Sequence, residues 1–451
     1  MSTNRNQKAY IRIDGSGRDV AGSLLLRNKK PGNGKWREVL AYECCNFIPN
    51  PQNPAFIITV NSDSDEGSQN DGFILGTSPD YAGQYNFTIK TSDGQVIDNV
   101  TDTYELTFPS PGIYDIEITG DFPAIRMRGD GIDVDSDERK IIDVKNWGTI
   151  PFIDMSYAFS GCINMVITAT DTPNTSNVTN MSDMFDGATS LINVPNLKSW
   201  DVSNVENMEY LFYGCSSLVE VDISDWNVQN VIDDSGINEM FEDCTSLVTV
   251  NMDNWYLKNL EGVGESIFYS GMDSLTTVSM KNWRLGPNVN NIDRMFPECP
   301  VLTTVDMSGW TFDNPNGVRL SRAFNECSLL SDLKIDVILQ GDTIRMFKGC
   351  FSLQSYTGTI AVSNVTRMDE MFQDANIFNQ DISSWDTSSV GNMTDMFNAA
   401  ITFNQDLSGW NVSVVGQCLN FDEATLSWAL PKPNFTSCSP TPPTTTTTTT
   451  L

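Results

Sequence analysis

Met208–Trp226 reads MEYLFYGCSSLVEVDISDW, and the chain repeats this stretch. Ile237–Trp255 reads INEMFEDCTSLVTVNMDNW, and Ile292–Trp310 reads IDRMFPECPVLTTVDMSGW. Met368–Trp385 and Met393–Trp410, MDEMFQDANIFNQDISSW and MTDMFNAAITFNQDLSGW, are two further copies. One Phe marks each repeat: Phe159, Phe185, Phe212, Phe241, Phe268, Phe296, Phe324, Phe347, Phe372 and Phe397, with gaps of 23 to 29 residues. A period of this size is the signature of a solenoid, in which no single coil can bury its own apolar face and stacking builds a shared core. The Met-x-x-Met-Phe segment puts apolar residues at i, i+3 and i+4, which predicts a helical turn. The Leu-x-x-Val-Asp-Ile segment alternates, which predicts a short strand. The expected fold is an α/β repeat solenoid of about ten to eleven coils over residues 133–430, with the Phe residues as its internal ladder.

Outward from the repeats, the pattern changes. In residues 53–132, Tyr85, Phe87 and Ile89 alternate with polar residues. Tyr104, Leu106 and Phe108 do the same, as do Tyr114, Ile116 and Ile118. With Asp93-Gly94 and Pro111-Gly112 as turns, this predicts a small antiparallel β-sandwich. Residues 1–52 are locally basic: up to residue 50, nine Lys and Arg face only Asp14, Asp19, Glu38 and Glu43. Arg12, Arg18, Arg27, Lys29 and Lys30 are the candidate docking residues, either as an arm on an acidic partner or as a solvated basic face. Residues 431–451, PKPNFTSCSPTPPTTTTTTTL, predict an extended Pro/Thr-rich tail with nothing apolar to pack.

Composition narrows function. A net charge of −31 repels phosphates and anionic membranes, and no segment is long and apolar enough to span a bilayer, so neither nucleic acid nor membrane insertion is expected. With no His, the commonest general base and metal ligand is missing. The carboxylates recur with the packing motif and form no singular cleft. No enzyme activity, catalytic residue, metal or cofactor is expected. The opening MSTNRNQKAYIRIDG lacks the apolar run of a secretory signal, which points to a carrier such as a virion for any role outside a cell.

Three repeated residue types invite other readings. Cys162, Cys215, Cys244, Cys299, Cys327 and Cys350 share one position with Ala188, Ala375 and Ala400, which predicts a small buried slot filled by reduced thiols. Disulfides between coils are the alternative, while Cys44-Cys45 reads as structurally buried, with metal binding as its alternative. The row Trp200, Trp226, Trp255, Trp283, Trp310, Trp385 and Trp410 is expected to close each coil, with a carbohydrate platform as the alternative. Asp222, Asp306, Asp381 and Asp406, with Asn204, Asn230 and Asn364, are expected to cap backbone N–H groups. Calcium is the weaker reading of that row.

The motif Asn-Val-x-x-Met-x-x-Met-Phe-x-x-Cys/Ala, followed by Asp-Ile/Leu-Ser-x-Trp, resembles the BspA-like leucine-rich repeats of surface proteins, the mycoplasma-type lipoprotein repeat. The resemblance implies adhesion to a host or matrix. Thr107–Ile116, TFPSPGIYDI, resembles the last strands of a PKD-like sandwich. Gln7–Arg12, Asp14–Arg18 and Ala41–Cys45 resemble N-terminal modules of marine tailed-phage structural proteins. Together these imply a virion appendage anchored by residues 1–52. Its expected partners are other virion proteins, a host-surface protein or glycan, and further copies of the chain. A purely structural virion component, a cellular adhesin and a polysaccharide-cleaving spike are the alternatives.

Overall fold

The computed structural model describes residues 8–12, 25–27, 36–39, 55–63, 71–127, 137–232, 236–260, 267–268, 270–296 and 299–441. The chain forms two units, Met1–Pro54 and Ala55–Leu451. In the first, β1 (Lys8–Arg12) lies between β2 (Leu25–Arg27) and β3 (Trp36–Val39), antiparallel to both.

The second unit begins with β4 (Phe56–Asn61), β5 (Gly72–Leu75), β6 (Asn86–Thr91), β7 (Val96–Val100), β8 (Tyr104–Thr107) and β9 (Ile113–Asp121). The alternating triplets of the sequence fall on β6, β8 and β9 and their flanks, with Phe87, Ile89, Leu106, Ile116 and Ile118 buried. β5 and β8 pair with each other. The larger sheet runs β11-β10-β4-β9-β6-β7 and recruits β10 (Ile141–Asn146) and β11 (Val166–Ile167) from the first coil. The N-terminal strands and the solenoid therefore share a sheet, and one apolar core runs from Phe56 to Trp428. A buried ion pair reinforces the junction. Lys140 Nζ lies 3.1 Å from Asp137, both side chains are fully buried, and the amine donates to the Gly72 carbonyl at 3.0 Å while Asp137 accepts from the Ile74 N–H. A pair this deep is sustained by such extra hydrogen bonds, because Coulomb attraction alone does not repay desolvation.

The solenoid adds β12 (Glu220–Asp222), β13 (Thr249–Asn251), β14 (Tyr256–Leu257), β15 (Thr277–Ser279), β16 (Arg284–Leu285), β17 (Thr304–Met307), β18 (Thr311–Phe312), β19 (Asp332–Asp342) and β20 (Thr357–Arg367). β12-β13-β15-β17-β19-β20 form one parallel sheet, with one strand per coil, and β14-β16-β18 form a second. Val221, Val250, Val278 and Val305 stand in register and point inward.

The expected helical turn is not there. Among the described residues there is no α-helix, only three short 3-10 turns, so the solenoid is a β-solenoid where an α/β one was expected. The physical reason is a left-handed residue every fourth position. Tyr157 and Gly161, Asp183 and Gly187, Tyr210 and Gly214, and Glu239 and Asp243 all have φ between +49° and +76°. A right-handed helix cannot contain them. The segment instead folds as consecutive β-turns, in which Ala158, Ser160 and Cys162 donate to the carbonyls three residues back. The alternate N–H groups, of Met155, Tyr157, Phe159 and Gly161, donate to Asn180, Ser182, Met184 and Asp186 of the next coil at 2.7–3.0 Å. Met155, Ala158 and Phe159 are still buried, so the i, i+3, i+4 pattern was real but its helical interpretation was not.

The ten Phe rings form an unbroken stack from Phe159 to Phe397, with neighbouring centroids 5.1 to 5.9 Å apart. Each buried ring contributes about 1.5–3 kcal/mol from area alone. Beyond Phe397 the stack ends edge-on against Phe421 and Trp428. The tail does pack, against expectation: Phe435 sits edge-on to Phe421, and Cys438 is disulfide-bonded to Cys418.

Candidate functional site

The inward side of the parallel sheet is apolar, so its outward side carries whatever the sheet displays. Strand pairing sets two rows of outward side chains. Glu220, Thr249, Thr277, Thr304 and Asp332 form one; Asp222, Asn251, Ser279, Asp306 and Lys334 form the other. Over β12, β13 and β15 these rows floor a groove of about 620 Å³, walled at one end by the segment Asn193–Lys198.

Ion pairs frame the groove. Lys198 Nζ lies 3.1 Å from Asp225 and 3.9 Å from Asp222, and Lys281 Nζ lies 3.6 Å from Asp253. The hydrogen bond to Asp225 raises the Lys198 pKa, and the same bond holds Asp225 below the usual carboxylate range. Ser279 donates its hydroxyl to Asp253 at 2.6 Å. The result is a rigid, hydroxyl- and amide-bearing surface whose two cations are already paired.

A second electrostatic feature lies on the turn ridge. Burial raises the Glu242 pKa to about 7; Glu239 and Asp243 add to this and the Ser270 hydroxyl opposes it. Glu209 is raised by burial and then by Asp183 and Glu239.

The residues singled out from sequence fall as follows. Arg12 and Arg27 end β1 and β2, but their side chains, and Arg18, Lys29 and Lys30 entirely, lie outside the described residues, as do Cys44 and Cys45. The Phe ladder is interior and lines no site. All six Cys of the repeat slot are buried thiols outside any disulfide, and burial raises the thiol pKa of each. Cys215, Cys244, Cys327 and Cys350 donate to main-chain carbonyls of Phe185, Phe212, Phe296 and Phe324. The Trp row is buried too, which removes the carbohydrate-platform reading. Trp226, Trp255, Trp283, Trp310 and Trp410 instead donate their indole N–H to carbonyls of the preceding coil.

Asp222, Asp306, Asp381 and Asp406 each accept the N–H two residues on, as expected of caps, though they cap tight turns of the loop. The Asn residues act differently. Asn204, Asn230 and Asn364 donate side-chain amides to the carbonyls of Ser176, Ser203 and Asn316, bracing one coil to another. Sequence reasoning missed the groove, because its polar rungs look like ordinary solvated positions until β12, β13 and β15 are in register. It also missed the Cys418–Cys438 bond, for which the signal was a Cys standing where other coils have Met.

Two family models match the repeat region. A family model described as "Mycoplasma protein of unknown function, DUF285" matches residues 153–272 and 341–427. One described as "BspA type Leucine rich repeat region (6 copies)" matches residues 238–379. No curated protein matches. Among solved structures, a leucine rich cell surface protein from Faecalibacterium prausnitzii A2-165 is similar at 16% identity, with 70% of this chain and 89% of that one covered and a TM-score of 0.26. A TLR13–ssRNA13 complex is similar at 15% identity, with 64% and 45% covered and a TM-score of 0.20. The family matches, together with the stacked Phe register, show that residues 153–427 carry repeats similar to BspA-type leucine-rich repeats.

Proposed function

We propose that this chain is a non-enzymatic surface-contact protein, a virion appendage whose residues 1–52 attach it to the particle and whose solenoid touches the host surface. The observation that carries the contact role is the groove over β12, β13 and β15, a fixed polar surface repeated coil by coil. Repeated equivalent positions suit multivalent contact, where modest affinities multiply. The virion assignment rests on the resemblance of residues 7–18 and 41–45 to phage structural modules and on the basic character of residues 1–50 in an acidic chain. The repeated Asp residues support a role without catalysis, since they are engaged in capping turns.

The test is to label intact particles with antibody against the solenoid, and to add purified full-length chain to host cells before challenge. Labelled particles and reduced adsorption support the reading. Labelled particles with unchanged adsorption leave a purely structural component. An unlabelled particle overturns the virion role in favour of a cellular adhesin, and shortening of host polysaccharide by the chain overturns the non-enzymatic role.

A further inference from the structure

The chemistry of the groove narrows what it can hold. Its floor offers short polar side chains at one rung per coil, with Thr249, Asn251, Thr277 and Ser279 supplying hydroxyl and amide groups. Parallel strands lie about 4.8 Å apart, so the rungs repeat at about that interval along the solenoid axis. An extended sugar chain advances by a similar length per hexose, so successive sugars meet successive, chemically equivalent rungs. An extended peptide advances about 3.3 Å per residue and falls out of step.

Two further observations weigh against a peptide. Protein partners are held by aromatic or Arg anchors filling desolvated pockets, and the outward rungs of the groove floor are short polar side chains such as Thr249, Asn251, Thr277 and Ser279. β13 and β15 are also paired with strands on both sides, so a peptide backbone finds no open edge there. Charge discriminates among glycans. Glu220, Asp222 and Asp253 line the groove against Lys198 and Lys281, and both lysines are engaged by carboxylates, so an acidic sugar meets net repulsion and no available cation.

We infer that this groove binds a linear glycan of uncharged hexose units, running along the solenoid axis with about one sugar per coil. The inference deepens the host-contact reading and rests on it. Hydroxyl pairs of the sugar meet the Asn251 amide, the Thr hydroxyls and the Glu220 carboxylate, while the ion pairs at either end keep the walls in place.

The experiment is equilibrium binding of full-length protein to labelled cellohexaose, maltohexaose, a β-1,3-glucan hexamer and hexagalacturonate, with the dimer and tetramer of each neutral sugar. The expected result is saturable binding of at least one neutral hexamer, weakening as the chain shortens, and none of hexagalacturonate. Thr249→Val with Thr277→Val, which leaves the Ser279–Asp253 bond and the Asn251 turn intact, should at unchanged melting temperature weaken binding by about tenfold or more, as the loss of two hydrogen bonds implies. Binding of none of the neutral hexamers, equal binding of the acidic one, or an unaffected double variant overturns the inference. If the protein blocks adsorption to host cells yet binds no neutral hexamer, the glycan assignment fails while the host-contact reading stands; the reverse pattern separates them the other way.

Discussion

The backbone N–H of Asn420 donates to the Pro440 carbonyl at 2.8 Å. This is the bond that Asp395 makes to Leu419, and Glu370 to Thr394, one coil earlier each time. Residues 431–441 thus supply the hydrogen-bond acceptor of a coil that is no longer there, and the Cys418–Cys438 bond fastens them. Pro431, Pro433 and Pro440 carry no N–H, so this end offers fewer donors to another chain.

Breaking that fastening should loosen the cap first. Closing a loop of 20 residues by a disulfide stabilises by about 3 kcal/mol in the chain-entropy account. Cys438→Ser is expected to lower the unfolding midpoint and to raise hydrogen exchange at Asn420 while exchange at Phe241 stays slow. Uniform loss of protection along the solenoid would show that 431–441 is no local cap.

Gly214 separates the turn from the helix by sign. In a helix, Gly→Ala stabilises by about 0.5–1 kcal/mol. Here Gly214 has φ +66°, and an added Cβ would meet only Gly187 at 3.5 Å, so the cost is the left-handed backbone itself. Gly214→Ala should destabilise by about 1–2 kcal/mol in urea titration. A stabilised variant would restore the helical reading.

The repeat-slot thiols should resist modification while the chain is folded. Burial keeps Cys215 and Cys350 protonated, and the thiolate is the reactive form. Alkylation followed by mass spectrometry should leave Cys162, Cys215, Cys244, Cys299, Cys327 and Cys350 unlabelled in native buffer and label all six in denaturant without reductant. A peptide linking Cys215 to Cys244 contradicts the core seen here.

Glu242 sets a pH dependence of definite sign. Its carboxyl titrates near 7 in the folded chain, against an ordinary value of 4.5. Between those values the folded state holds the proton more often than the unfolded state, so stability falls as pH rises through the window. Glu242→Gln should flatten the slope of stability between pH 4.5 and 7, with an amplitude reduced by solvent screening. An unchanged slope would place the effect elsewhere.

The periodic Phe and the Cys/Ala interchange already determined, in the sequence, that the chain stacks into coils, where the register lies and which slot is small and buried. These follow from composition at fixed spacing, because an apolar side chain recurring once per coil has only the shared core to occupy. The conformation of Met-x-x-Met-Phe was not decided that way. A helix and a run of β-turns bury the same i, i+3 and i+4 positions, and the choice falls to hydrogen bonds with the next coil. The Gly or Asp ahead of the Cys/Ala slot, as at Gly161, Gly187, Gly214 and Asp243, was the available hint of a left-handed residue. The groove was likewise a tertiary decision. Thr249, Asn251, Thr277 and Ser279 are unremarkable polar residues along the chain, and they become one surface only when parallel pairing sets β13 beside β15.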